Sequence, residues 1–478
     1  MISPAEALRA TGGRWLRPPE APEAPLRGAH FDTRRLAGEE LFFALAGSGG
    51  DGHAHLHRLA GTAVRLAVVQ REAPAPGYGG ALLAVDDTRR ALQAMAAFLV
   101  EKHAPTVVAV TGSYGKTTAK EAIAHVLAGG VTVLRTPGSY NNEIGVPLAL
   151  LGLDGSQRAA VLEFSARHEG DIDLLGRIAP PHVAVLMGVG RAHIGVFGSA
   201  EAIYRAKGEV FTHLRPGGLA VVAAADPRLR ALAAGHRTAT FGRGAADFRC
   251  EALETGSDGR QCFLGVHGEA RVPFRTAGPG AHGFLPLLAA WAVARELGLP
   301  DALAAERAAT VPVLKHRSQG LRAPGGALVL DDTYNASPET IRGLVATLAG
   351  LPQPEKVLVL GHPHELEAGL AESARLVAEV LAPPLTACLV HDPDHPAWAA
   401  HLAAGARGVP VRAVPRLGDL IAELRALDAP QRAIALKAGR AAHLERAVAG
   451  LMGARVGCPL TECDLLQSCL DCPALPGS

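Results

Sequence analysis

Apolar residues fall along this chain in two arrangements. Unbroken runs such as "TVVAV" from Thr106, "RAAVLEF" ending at Phe164, "HVAVLMG" and "GGLAVVAAAD" suit strands buried on both faces of a parallel sheet. Between them, "TTAKEAIAHVL" and similar stretches carry helical spacing. The alternation predicts an α/β doubly wound domain. Strand character over about 238–274 and a buried helix over 281–298 follow. Near Val311 the pattern restarts. "GGALVLDDTYNASPETIRGLVATLAGL" reads as strand, polar turn and helix, and "EKVLVLGH", "LTACLVHD", "VPVRAV" and "RAIALKAG" supply further strands of a second, open-sheet α/β unit. Ahead of both, residues 1–100 mix short strand-like runs ("LFFAL", "VRLAVV", "ALLAV") with turns, closing on an amphipathic helix in "DDTRRALQAMAAFLVEKH".

A length of 478 residues accommodates roughly three domains, which these patterns bound at 1–100, 101–312 and 313–455, with an appended tail at 456–478. The formal net charge of +1 gives no electrostatic case for nucleic acid or an anionic membrane. The N-terminus lacks the apolar stretch of a secretory signal, and no apolar run reaches the roughly 18–20 residues that span a bilayer. A cytoplasmic, soluble, monomeric protein is expected.

Cys250, Cys262 and Cys388 are scattered and read as small buried apolar residues. The other four, Cys458, Cys463, Cys469 and Cys472, crowd the tail in "GCPLTECDLLQSCLDCPALPGS". Such a set could hold zinc or an iron–sulfur cluster, although a single C-x2-C pair does not match a zinc ribbon, and a plain reduced or redox-labile tail is the alternative. In "HAHLH", the alternation of His53, His55 and His57 could ligate a metal, but their turn setting favours surface polar residues.

"TGSYGKTT" lies between a predicted strand and a predicted helix. The usual phosphate loop is G-x-x-x-x-G-K-[ST]; here Val110 stands where its first glycine belongs, so Gly112, Ser113, Tyr114, Gly115, Lys116, Thr117 and Thr118 form a shorter loop. Its N–H groups, the helix N-terminus and Lys116 suit phosphate oxygens, and Thr117 or Thr118 offers a hydroxyl to Mg2+. Glu163 ends the next strand, a place suited to anchoring that ion, and reads equally as a surface residue. His193 in "GRAHIGVFGS" reads alone as structural, and Lys207 in "AEAIYRAKGEVF" is unremarkable by itself.

The series "TGSYGKTT", "SYNNEIGVPLALL", Glu163, "RAHIGVFGSAEAIYRAKGEVF" and "LDDTYNASP" resembles the Mur ligase superfamily, the ATP-dependent amide ligases of peptidoglycan precursor synthesis. "NNEIGVPLALL", "DDTYNASP" and the N-terminal "FDTRRLAGEELFFALAGSGGDGHAHL" are most similar to the branch that adds D-Ala-D-Ala to a UDP-MurNAc-tripeptide. The likeness covers about residues 28 to 450. It implies a three-domain α/β architecture: a small UDP-substrate domain, a central ATPase domain and a C-terminal Rossmann-like domain. It also implies amide formation through an acyl phosphate and a tetrahedral intermediate. By the same resemblance Thr117 and Glu163 hold Mg2+, Glu163 shares a second ion with His193, and Lys207 is carbamylated by CO2 to orient that ion. Asn141 and Asn142 face substrate and phosphate. Arg317 meets ATP phosphates, and Asp332 and Tyr334 the ribose and base. Lys437 and Arg440 face the incoming carboxylate or help close the domain, and Asp32, Thr33 and Arg34 contact the uridine nucleotide.

Departures from the family pattern cluster around the nucleotide. Gly283 and Pro286 replace two asparagines, the first an adenine contact; Gly188 replaces an Asn, Ala223 and Ala225 an Asn and an Asp, and His362 an Asp. Each lost amide removes a contact of about 0.5–1.5 kcal/mol. Two further readings therefore stand beside the first: a family member joining a different amino acid or acyl substrate, and a non-catalytic muramyl-nucleotide binder. Retention of Lys116, Glu163, His193 and Lys207 weighs against the latter.

Overall fold

The computed structural model describes residues 1–47, 50–70, 75–190, 194–276, 281–363, 370–458, 469, 472 and 475. Among these residues three large sheets carry the chain. The first has five strands, four of them parallel, with Arg14–Arg17 added antiparallel at one edge. The second has nine strands. Seven, from Val133–Arg135 to Phe248–Thr255, run parallel with Thr106–Thr111 between Ala159–Glu163 and Val183–Leu186, and an antiparallel pair closes the far edge. In the third, of six strands, the strand Leu328–Asp332 lies beside Arg432–Lys437, and only Gln319–Arg322 is antiparallel.

The unbroken apolar runs form the strands expected of them because helices cover both sheet faces. All five residues of Ala159–Glu163 and all four of Val183–Leu186 are buried. The expected helices are present as Thr88–His103, Lys116–Leu127 and Ala281–Glu296. Two edge elements lacked an apolar signal: the strand Val133–Arg135 is only partly buried, and Gln319–Arg322 alternates between partly buried and exposed positions.

One hydrophobic core runs from the first sheet into the second, joining Leu41, Phe43 and Leu66 to Val108, Val161 and Trp291. The third sheet has its own cores on its two faces. Two expectations fail locally. Cys262 is exposed, because strand alternation turns it outward. His53 is buried rather than a surface residue: its Nδ1 lies 2.6 Å from Asp51 Oδ1, and its Nε2 accepts from Gln70 N–H at 2.8 Å. Both ring nitrogens are thus used in holding a turn.

Trp291 centres the central-domain core. It is fully buried, meets Phe248 edge-on at 5.1 Å, and donates from Nε1 to Asp301 at 2.7 Å. Trp291→Ala should cost about 3–5 kcal/mol, read as a lower urea midpoint; a change within experimental error would contradict this packing.

Candidate active site

The phosphate-type loop depends on two glycines between the strand Thr106–Thr111 and the helix Lys116–Leu127. Gly112 has φ 145° and Gly115 φ 75°, both disfavoured for residues bearing a Cβ. At Gly112 a Cβ would also lie 2.9 Å from the Gly188 carbonyl oxygen, which accepts from Ser113 N–H at 2.7 Å. Gly115 is the N-cap and supplies no side-chain cap, so the first-turn N–H groups and the helix dipole remain available to an anion. Lys116 Nζ donates to the Gly112 carbonyl at 2.8 Å, which keeps the ammonium over its own loop.

Beside this loop stands Glu163. Strand register pairs it with Val110, two residues before Gly112. It is 1% exposed; Oε1 accepts from Asn141 Nδ2 at 2.8 Å, while Oε2 is buried with no hydrogen-bond partner among the described residues. An unsatisfied buried carboxylate oxygen is costly. Glu163 and Thr117 line the same cavity, and a carboxylate oxygen with a hydroxyl is a donor set that fits Mg2+.

Sequence reasoning missed Lys120. It is fully buried, and its ammonium donates to the carbonyls of Thr136 and Gly138 at 2.7 Å each. Thr136 Oγ1 accepts from Glu163 N–H at 3.2 Å, and the Asn141 carbonyl accepts from Ser165 N–H at 2.9 Å. Lys120 therefore pins the segment that carries Asn141 and Asn142 beside Glu163. The available signal was its place one helical turn after Lys116 on a helix already assigned to the site.

The third domain supplies the opposite wall of a cavity of about 750 Å³. Tyr334 lies between two guanidinium groups, Arg317 at 3.9 Å from the ring centre and Arg440 at 5.2 Å. Its hydroxyl lies 3.3 Å from Ser139 Oγ of the central domain. Lys437 is only 2% exposed and donates to Asp332 at 2.6 Å and to the Asn335 carbonyl at 2.7 Å. Asp332 Oδ1 accepts from Ser318 N–H at 3.0 Å. Lys437 and Asp332, expected to face substrate and ribose, both line the cavity and bond each other there. The chain enters this domain through His316 and Ser318, at φ 61° and 52°, and His316 Nδ1 bonds Asp331 at 2.7 Å.

Several expected site residues lie apart from the cavity lining. Lys207 is 3% exposed, with Nζ donating to the Ala166 carbonyl at 3.3 Å. Burial, with the charge of Lys116 adding, lowers its pKa to about 7, so near neutral pH much of it is the nucleophilic free amine. Asp32, Thr33 and Arg34 form a turn in the first domain, where Asp32 accepts from Arg34 Nε at 2.9 Å. The Arg34 hydrogen bond is the leading stabilising influence that holds the Asp32 carboxyl down at about 2. His193 and Cys463 fall outside the described residues.

The departures have local counterparts. Gly283, Pro286 and Leu287 share one helix face and, with Val311 to Leu314, give the cavity an apolar flank where the family asparagines would stand. Gly188 leaves room for Tyr114, whose ring atoms would lie 2.7 Å from a Cβ there. Asp226 caps the helix Pro227–Leu232, accepting from Arg228 N–H at 3.0 Å. His362 pairs with Asp392 at 2.7 Å, outside the cavity lining.

The Asp332–Lys437 pair gives a direct test. Asp332→Ala strands a buried ammonium and should cost about 3–5 kcal/mol in urea unfolding. Adding Lys437→Met should recover part of that loss; equal stability of the single and double variants would refute a buried pair.

Comparison with known proteins agrees with this geometry. Residues 110–294 match the Mur ligase middle domain, and residues 316–440 match the Mur ligase glutamate ligase domain. The chain is 35% identical over 430 residues to the UDP-N-acetylmuramoyl-tripeptide–D-alanyl-D-alanine ligase of Synechocystis sp., covering 88% of this chain and 91% of that protein. It is 31% identical over 365 residues to the Bacillus subtilis protein of the same name, covering 76% and 78%. A crystal structure of MurF from Acinetobacter baumannii superposes with a TM-score of 0.83 at 29% identity, over 94% of this chain and 98% of that one. The MurF ligase of Thermotoga maritima in complex with ADP gives 0.79 at 26% identity, over 89% and 97%. With the short phosphate loop, the strand-end glutamate and these matches along most of its length, the chain belongs to the Mur ligase family.

Proposed function

We propose that this protein is an ATP-dependent ligase that joins D-alanyl-D-alanine to UDP-N-acetylmuramoyl-tripeptide, with domains at 1–100, 101–312 and 313–455. The carrying observation is one cavity lined by Lys116, Arg317, Arg440 and Glu163, whose Oε2 has no hydrogen-bond partner among the described residues. On this reading the protein works in the cytoplasm.

A carboxylate is a poor acyl donor because oxide would have to leave. Its oxygen attacks the γ-phosphorus of ATP, the bond to the bridging oxygen breaks, and an acyl phosphate and ADP result. The dipeptide amine then adds to the acyl carbon. The tetrahedral intermediate expels phosphate, and the amine proton passes to solvent. Lys116 and the loop N–H groups neutralise charge on the transferring phosphoryl group, and Arg317 serves the same charge from the other domain. Mg2+, held by Glu163 and Thr117, would supply further charge neutralisation at the phosphates. Asn141 fixes the Glu163 carboxylate, and Asn142 faces the substrate. Asp332 and Tyr334 form the ribose and base side, against the apolar flank made by Pro286 and Leu287.

Lys207 acts as its carbamate. Its neutral amine attacks CO2, a C–N bond forms as one C–O π bond opens, one proton passes to solvent, and the neutral group becomes an anion that would orient a second Mg2+. Asp32, Thr33 and Arg34 contact the uridine nucleotide, and Lys437 with Arg440 positions the third domain at the incoming carboxylate.

The test is phosphate release with Mg2+-ATP and UDP-MurNAc-tripeptide, with and without D-Ala-D-Ala, followed by mass spectrometry. Dipeptide-dependent phosphate and a UDP-MurNAc-pentapeptide product are expected, with Lys116→Ala slower by about 100-fold or more. No dipeptide-dependent product would refute the assignment. Lys207→Ala should lose a comparable factor and recover partly when a short carboxylic acid is added to the assay. Full activity without such an acid would remove the carbamate from the mechanism.

A further inference from the structure

The cysteine-rich tail meets the third domain at the turn that supplies Arg440 to the cavity. That turn, Arg440–Ala442, ends at His443, whose φ of 47° aims the chain back into the domain. His443 is 3% exposed and lines the cavity. Its Nδ1 lies 3.2 Å from Cys469 Sγ and 3.5 Å from Glu445 Oε1. Glu445 Oε1 also accepts from Cys469 N–H at 3.2 Å. Donor atoms of the three residues lie within 4.8 Å of one another. His443 Nε2 is buried with no hydrogen-bond partner among the described residues, while Nδ1 faces the sulfur and the carboxylate.

Backbone contacts hold the tail beside this edge. The Cys458 carbonyl accepts from Arg446 at 3.3 Å. Cys472 N–H donates to the Cys469 carbonyl at 3.2 Å, and Leu475 beyond it is buried. A tail that ended only in a surface thiol would need no such arrangement of imidazole, carboxylate and sulfur.

We propose that His443, Glu445 and Cys469 bind a zinc ion, with solvent completing its four ligands. Imidazole and thiolate select a borderline-soft metal over Mg2+ or Ca2+. A mixed nitrogen, oxygen and sulfur set suits tetrahedral zinc, whereas iron–sulfur clusters are held chiefly by four thiolates. Unlike the four-cysteine set expected from sequence, of which Cys463 lies outside the described residues, this set draws on His443 and Glu445 of the folded domain. Binding releases the Cys469 thiol proton to solvent and forms the metal–sulfur bond. The ion would fasten the tail to the turn that carries Arg440 and His443 into the cavity wall. The inference does not depend on which amine the enzyme joins.

The experiment is elemental analysis of the full chain, purified without chelator under reducing conditions and then reconstituted with zinc chloride and desalted. About one zinc per chain is expected, released on titration with an organomercurial. Cys469→Ser and His443→Ala should each fall below about 0.2 zinc per chain, while Cys262→Ser, exposed and remote, retains it. Circular dichroism establishes that the variants compared are folded, and Glu445→Gln serves in place of any that is not. Zinc absent from the reconstituted wild type, zinc retained equally by the folded ligand variants, or iron with acid-labile sulfide would each overturn the proposal.

Discussion

The register of Thr106–Thr111 against Ala159–Glu163 is the constraint on which the site depends. It pairs Val110 with Glu163 and so puts the carboxylate beside the glycine turn that follows two residues later. The same central strand pairs with Val183–Leu186 on its other side, which brings Gly188 under Ser113 and Tyr114. A shift of one residue would turn every side chain of the strand to the opposite face. Continuous burial of these strands leaves little freedom for such a shift.

Around that frame the protein buries several positive charges, each given acceptors of its own. Lys120 takes backbone carbonyls and Lys437 takes Asp332, while the half-buried Lys116 rests on its loop. Lys207 differs: a carbonyl at 3.3 Å does little to offset its desolvation, and its pKa falls. The contrast separates cations that organise backbone from one whose neutral form is favoured by its surroundings.

Much of this was legible from sequence because strand and helix periods are local. The runs at Val107, Ala159, Val183 and Leu219 announced the parallel sheet, and the loop from Gly112 to Thr118 announced its own position between strand and helix. What escaped depended on long-range partners. The role of Lys120 rests on the carbonyls of Thr136 and Gly138, and His53 reads as a surface residue until Gln70 closes on it. Nothing near Lys437 in sequence reveals Asp332, which lies on a neighbouring strand after a long crossover. The edge strand Val133–Arg135 exists through pairing with Ala159–Val161, not through apolar content.

The crossing into the third domain carries a mechanical consequence. His316 and Ser318 both occupy left-handed backbone without being glycine, at an energy of about 1–3 kcal/mol each. They stay there because Asp331 grips the His316 ring and Asp332 grips the Ser318 amide. Both grips come from one strand, the strand that also leads to Tyr334. Entry segment, strand and Tyr334 are therefore tied into one piece, so that the ring beside Arg317 keeps its place relative to the third sheet.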